Sequence, residues 1–164
     1  MKRSTRYLVA AMIIIACLGC DRATKYAAAG LRGEPAVRLC GGTVTLLYAE
    51  NAGAMLSVGG TLSAPFRFWV LTIGVGGLLG GLVGYLVFSR HLSLSSVVAL
   101  SLMVGGGASN LYDRLVNDGR VVDFVICGVG AVHTGVFNLA DVAITWGVIL
   151  FFLSALRARA RITR

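Results

Sequence analysis

Four of the chain's seven acidic residues, Asp113, Asp118, Asp123 and Asp141, fall between Gly105 and Asp141 in a sequence that is otherwise almost wholly apolar. Asp123 stands between Val122 and Phe124, and Asp141 opens an apolar run. Acids so close to hydrocarbon are expensive unless they are paired or share a proton, so they mark function by default. Two carboxylates held together cannot both ionise cheaply. One keeps its proton, and the other can take a proton from water. That is hydrolytic acid–base chemistry, and Asp123 and Asp141 are the candidate catalytic pair. They lie 18 positions apart, so their meeting requires a hairpin-like return. Asn117-Asp118-Gly119 supplies one turn signal for it, and Asp118 is read as a turn residue only.

The elements that must position this pair are membrane helices. The chain has 164 residues, 57% hydrophobic and 13% charged, with a mean hydropathy of +0.82, which is a membrane composition. Apolar runs at about 7–29, 68–89, 92–112 and 136–156 are each long enough to span a bilayer, leaving 30–66 and 113–135 as connecting segments. The net charge of +8 is carried by Lys2, Arg3 and Arg6, by Arg90, and by Arg157, Arg159, Arg161 and Arg164, in segments free of Asp and Glu. This positive-inside pattern predicts both termini on the cytoplasmic side and both connecting segments on the opposite face. A nucleic-acid-binding face would instead gather basic residues with aromatic or polar readers, and none is expected.

The first run admits two readings. Its basic start, apolar stretch and Cys17-Leu18-Gly19-Cys20 resemble a lipoprotein signal peptide cut at Cys20, although a cysteine stands where Leu or Val is usual. The reading adopted is an uncleaved helix to about Ala29, with Asp21 and Lys25 on one face. From Gly30 to Phe66 the chain is mixed, with a strand-like alternation over Thr43–Tyr48 and turn glycines at Gly41-Gly42 and Gly59-Gly60. That predicts a small, partly β layer on the membrane surface. Within it, Asn51 and Gly53 could hydrogen-bond and admit a peptide backbone, or simply form an Asn-Gly turn. In the second run, Gly76–Gly80, Gly77–Gly81 and Gly80–Gly84 predict close helix packing. The third run ends with Asn110, Asp113 and Arg114 on one helical face, with Asp113 expected to pair with Arg114 or a neighbour. Asp141 is expected at about the second turn of the fourth helix.

His91 and His133 have no partners at metal-ligand spacing, and Cys17-x-x-Cys20 has no second ligand pair, so no metal or cofactor is expected. Cys40 and Cys127 share the presumed oxidising face, where a disulfide is open but unforced.

Taken together, Asp21-x-x-Thr24-Lys25, Asn51-Ala52-Gly53-Ala54, Gly106-Gly107-Ala108-Ser109-Asn110-Leu111-Tyr112-Asp113-Arg114, Val122-Asp123-Phe124 and Phe137-Asn138-Leu139-Ala140-Asp141 resemble the ordered motifs of the signal peptidase II family, the bacterial intramembrane aspartyl proteases that process lipoproteins. The resemblance implies an all-α polytopic inner-membrane protein of one domain, with four transmembrane helices and a small periplasmic β-cradle and surface loop. It implies cleavage of prolipoproteins before the diacylglyceryl-modified cysteine, with Asp123 and Asp141 catalytic. Asn51, Gly53, Asn110, Arg114, Asn138 and Ala140 would bind or position substrate, and Asp21, Lys25 and Asp113 would support them. It also implies contact with membrane lipids, inhibition by globomycin-type cyclic peptides and a monomeric state. Two positions depart from the family pattern. Ser109 stands where glycine is usual, which bears on packing at the polar cluster, and Leu56 stands where phenylalanine is common, which bears on lipid or peptide contacts. A small channel or transporter is the competing class, since buried acids also mark ion pathways. The acids, however, gather at one face and do not form a relay across the membrane.

Overall fold

The computed structural model describes residues 2–54 and 58–162; Leu56 and Arg164 lie outside the described residues, as do the side chains of Arg159 and Arg161. Four helices are long and apolar enough to cross a membrane: α1 (Arg3–Ala29), α2 (Ala64–Phe88), α3 (Leu94–Val116) and α4 (Leu139–Ile162). A four-stranded antiparallel sheet in the order β1-β2-β3-β4 accompanies them: β1 (Val37–Leu39), β2 (Val44–Asn51), β3 (Val121–Val129) and β4 (Val132–His133).

Helix α3 is the hub: over half of its apolar window is buried, against about a tenth in each of the other three. Three consecutive glycines make this possible. Successive helical residues point about 100° apart, so Gly105, Gly106 and Gly107 face three different neighbours. A Cβ on Gly105 would lie 2.7 Å from Cys17 Cβ of α1, one on Gly106 2.5 Å from the Ala140 carbonyl oxygen of α4, and one on Gly107 2.6 Å from Leu79 of α2. Gly147 of α4 completes the contact from the other side, 2.8 Å from the Ala99 carbonyl by the same measure. The glycine spacing of the second run points elsewhere. Cβ atoms on Gly77, Gly80, Gly81 and Gly84 would meet nothing within 4 Å, and one on Gly76 makes only an ordinary contact with Leu111. The expected close packing of that stripe is therefore absent among the described residues. A spacing motif signals a smooth helical face but does not say whether a neighbour occupies it.

Helix bounds also differ from those expected. The second helix begins at Ala64, before the run at 68, and includes a wider π-helical stretch over Phe68–Gly74 that turns Thr72 inward. Helix α3 continues to Val116, so Asp113 and Arg114 lie on its last turns and not in the following loop. Buried ion pairs make these charged turns compatible with the bundle, which hydropathy cannot register. Helix α4 starts at Leu139, which puts Asp141 in its first turn and not its second.

At one end of the bundle, α2 and α3 are joined by a short connection. Arg6 of α1 is buried there and donates to the carbonyl oxygens of Val87 (2.9 Å) and Ser89, satisfying acceptors that the end of a helix leaves free. Ser93 caps α3 by accepting from Ser96 N–H at 3.1 Å, and its hydroxyl joins those of Ser95, Ser96 and Ser154 in a four-serine clasp to α4.

At the other end, the sheet closes the distance between the candidate aspartates. Positive φ at Asp118 (50°) and Gly119 (80°) turns the chain out of α3 into β3. The β3–β4 hairpin pairs Val129 with Val132 across Gly130-Ala131, with Gly130 at φ 60° in the first central position, a turn suited to strand twist. The returning chain pins Phe137 to β3: Val125 N–H and Phe124 N–H donate to the Phe137 carbonyl at 3.0 and 3.1 Å, and Phe137 N–H donates to the Val125 carbonyl at 2.9 Å. The next residue, Asn138, therefore starts α4 beside Asp123. Cys40 and Cys127 are both free, as are Cys17 and Cys20.

Candidate active site

In the β2–β3 ladder Asn51 pairs with Val121 and Ala49 with Asp123. Asn51 and Asp123 are thus diagonal neighbours on one face, within reach of a side-chain bond. Asn51 Nδ2 donates to Asp123 Oδ2 at 3.0 Å and to the Ala54 carbonyl at 3.1 Å, while its Oδ1 accepts from Gly53 N–H at 2.8 Å. Asn51 thus forms the expected turn, and the turn aims its amide at Asp123. Gly53 is buried, and its carbonyl accepts from Arg114 Nη2 at 2.8 Å, which ties this loop to the end of α3.

Asn138 and Asp141 form a reciprocal cap. Asp141 N–H donates to Asn138 Oδ1 at 2.9 Å, and Asn138 N–H donates to Asp141 Oδ2 at 3.2 Å. Residues spaced as an Asx followed three later by a carboxylate satisfy two orphan donors this way. Ala140 N–H, a third orphan, donates to Asp21 Oδ1 of α1 at 2.9 Å. The helix N-terminus favours the negative charge of both carboxylates, by about 0.3–1 kcal/mol each at exposed sites and more when partly buried.

Asn138 also reaches the other aspartate. Its Nδ2 donates to Asp123 Oδ1 at 2.7 Å and lies 3.1 Å from Asn110 Oδ1 and 3.2 Å from the Val122 carbonyl. One asparagine therefore bonds both Asp123 and Asp141. Asn110 of α3 completes the arrangement, donating from Nδ2 to Asp141 Oδ1 at 2.8 Å. Asp123 is 2% exposed, and burial, reinforced by the nearby charge of Asp141, pushes its carboxyl from 3.8 up to about 6 against the opposing bonds from Asn51 and Asn138.

Behind this pair lies an ionic cluster of buried Asp21, Lys25 and Asp113 with the partly exposed Arg22. Lys25 Nζ contacts Asp21 Oδ2 (2.7 Å), Asp113 Oδ2 (2.8 Å) and Asn110 Oδ1 (2.9 Å), using all three of its donors. Asp113 pairs with Arg22 at 2.6 Å and accepts from Val122 N–H at 3.2 Å, so its partners are on α1 and not the adjacent Arg114. Two carboxylates against two cations leave the cluster neutral, which is what its burial requires. Lys25 also fixes the Asn110 amide: by claiming Oδ1 it leaves Nδ2 for Asp141.

Every site residue expected from the sequence is thus brought to one end of the bundle. The additional members are Arg22, legible only as a charge inside an apolar run, and Ser109. The Ser109 hydroxyl is fully buried and donates to Asp21 Oδ2 at 2.6 Å. Among the described residues, no group of three or more His, Cys, Asp and Glu side chains could hold a metal ion.

Four apolar helices and a small sheet bring Asp123 of β3 and Asp141 at the start of α4 to a shared partner, Asn138. Residues 13–157 match the family described as Signal peptidase (SPase) II. The chain is 36% identical over 139 residues to the lipoprotein signal peptidase of Caldicellulosiruptor bescii, covering 85% of each chain. It is 33% identical to that of Streptococcus thermophilus, covering 85% of this chain and 87% of the relative. A bacterial membrane enzyme solved by the in meso method at 2.3 Å superposes with a TM-score of 0.79 at 26% identity, covering 93% of this chain and 90% of the other. The chain belongs to the signal peptidase II family; it is an aspartic endopeptidase and a multi-pass bacterial membrane protein.

Proposed function

We propose that this enzyme removes signal peptides from prolipoproteins by cutting before the diacylglyceryl-modified cysteine, with Asp123 and Asp141 activating the attacking water. The observation that carries the reading is the bridging of the two carboxylates by Asn138, with Asp123 held protonated to unusually high pH. The pair shares one proton. The ionised member takes a proton from water as its oxygen attacks the scissile carbonyl. The protonated member donates a hydrogen bond to the developing oxyanion, and the departing amine is protonated as the tetrahedral intermediate collapses. Asn51, Asn110 and Asn138 hold the carboxylates in place. Arg114, through the Gly53 carbonyl, sets the loop that would lie over the peptide.

In the membrane, the basic residues Lys2, Arg3, Arg6, Arg90 and Arg157 support an orientation with both termini in the cytoplasm. The sheet and the aspartates are then at the periplasmic face, where a lipidated cysteine at the bilayer surface would meet them. Lipids surround a monomer, and globomycin-type cyclic peptides would compete with substrate at the aspartates.

The test is cleavage of a lipidated precursor by Asp123→Asn and Asp141→Asn, each folded in detergent, alongside the parent with and without lipid on the substrate cysteine. Each variant should lose activity by about 10²-fold or more, the scale of general acid–base contributions, and the unlipidated precursor should be a poor substrate. Near-parental cleavage by either variant removes the dyad from the mechanism.

A further inference from the structure

We infer that Ser109 is a positioning residue for the peptidase reaction, acting on Asp141 through Asp21; this rests on the proposed role of the Asp123–Asp141 pair. Ser109 carries no charge and does not touch either aspartate of the pair. Its hydroxyl is fully buried and donates to Asp21 Oδ2 at 2.6 Å. Asp21 is also fully buried and receives two other donors, Lys25 Nζ on the same oxygen at 2.7 Å and Ala140 N–H on Oδ1 at 2.9 Å.

From Asp21 two routes reach Asp141. The first runs through the backbone: Asp21 holds Ala140 N–H at the start of α4, one residue before Asp141, and so fixes the first turn against α1. The second runs through side chains. Lys25 divides its three donors among Asp21, Asp113 and Asn110, and its claim on Asn110 Oδ1 leaves Asn110 Nδ2 for Asp141 Oδ1. Without the Ser109 hydroxyl, Asp21 Oδ2 keeps Lys25 as its sole donor. A buried carboxylate short of a donor pulls harder on the donor that remains. Lys25 is then drawn toward Asp21 and away from Asn110, whose Oδ1 keeps only the longer contact from Asn138 Nδ2 at 3.1 Å, so the amide is held less firmly. The two routes converge on Asp141, so a hydroxyl that never meets substrate governs the placement of a carboxyl that does.

The experiment is steady-state cleavage of a lipidated precursor by Ser109→Ala and Ser109→Cys, with thermal melts in the same detergent. The two variants delete the hydroxyl and differ in volume, so a packing effect separates them and a hydroxyl effect does not. Both should lose kcat by about tenfold with KM within about twofold of the parent, the pattern of a group needed in the transition state and not for substrate binding. In an Asp21→Asn background the same substitutions should cost less than about twofold, because the carboxylate through which Ser109 acts is gone and one amide oxygen cannot serve all three donors. Parental kcat in either single variant overturns the inference, as does a full tenfold loss that persists in the Asp21→Asn background. Asp123→Asn and Asp141→Asn run alongside: activity in those variants would sink the dyad reading itself, whereas dead aspartate variants beside a fully active Ser109→Ala would sink only the inference about Ser109.

Discussion

Replacing Asp123 with Asn removes an ionisable group while keeping its shape, and the structure assigns the change a stability signature that reverses with pH. Burial raises the Asp123 carboxyl from 3.8 to about 6, so the folded chain holds this proton more tightly than the unfolded chain does. Between those values the unfolded state binds fewer protons, and stability falls as pH rises. Asp123 contributes its full stabilisation below about pH 3.8 and has lost it once pH has risen through about 6. At about 1.4 kcal/mol per pH unit, the displacement corresponds to roughly 3 kcal/mol in all, of which about 2–2.5 is lost between pH 4 and pH 8. Asn at this position does not titrate, so the variant escapes that loss. It carries a constant penalty instead: both Asp123 oxygens accept, from Asn51 and from Asn138, and an amide can accept on one side only. The resulting mispairing costs about 1–2 kcal/mol at any pH. The variant should therefore be less stable than the parent at pH 4 and more stable at pH 8, by about 1–2 kcal/mol each way. With about 2–4 °C of melting temperature per kcal/mol for a chain of this size, the difference in Tm should move upward by several degrees between the two pH values. Thermal melts of both proteins in one detergent, followed by tryptophan fluorescence, read this directly. Titrating groups not coupled to Asp123 are shared and cancel in the difference, leaving Asp123 and its coupled partner Asp141. A Tm difference that is the same at pH 4 and pH 8 refutes the claim that Asp123 is buried at a cost to its charged form.

The buried ionic cluster makes a second prediction: Lys25→Met leaves Asp113 with Arg22 alone and Asp21 with no cation, and should destabilise by about 3–5 kcal/mol, seen as loss of monodisperse protein on size-exclusion chromatography. The glycines separate cleanly. Gly106→Ala would drive a methyl to 2.5 Å from the Ala140 carbonyl oxygen and should cost about 1–3 kcal/mol or more, together with activity, because the displaced backbone adjoins Asp141. Gly80→Ala meets nothing within 4 Å and should leave Tm unchanged or raise it by the helix preference for Ala, up to about 1 kcal/mol. Arg6→Ala frees the Val87 and Ser89 carbonyls at the far end of the bundle and should lower Tm, by about 1–3 kcal/mol of stability, while precursor cleavage per folded molecule stays at the parental rate.

Much of this site is legible in the sequence because its residue types are costly where they stand. Asp21, Lys25, Asn110, Asp113, Asn138 and Asp141 interrupt or border apolar runs, and a membrane chain does not carry such groups without partners. The four spans and their charge bias follow from hydropathy and Lys/Arg placement alone. The partners themselves are not legible. Asp113 looks toward Arg114 in sequence but pairs with Arg22 and Lys25, since neighbouring positions on a helix diverge in direction while α1 runs alongside. The glycine stripe at 76–84 and the run at 105–107 look alike as packing signals, and only the second meets backbone within a few ångströms.

The sequence by itself determines that apolar segments must cross a membrane, that acids lie at one end of them, and that a turn at 117–119 can return the chain. These are local matters of transfer energy and backbone preference. Tertiary structure alone decides which donor each carboxylate receives. Asp123 sits on a strand and Asp141 on a helix start, and they share Asn138 only because Phe137 is bonded to β3 and α4 is packed against the glycines of α3. A carboxyl's proton affinity depends on burial and on charges within a few ångströms, and those are set by residues distant in the chain. The aspartates can be counted in the sequence, but the environment that would make them a reactive pair exists only in the folded bundle.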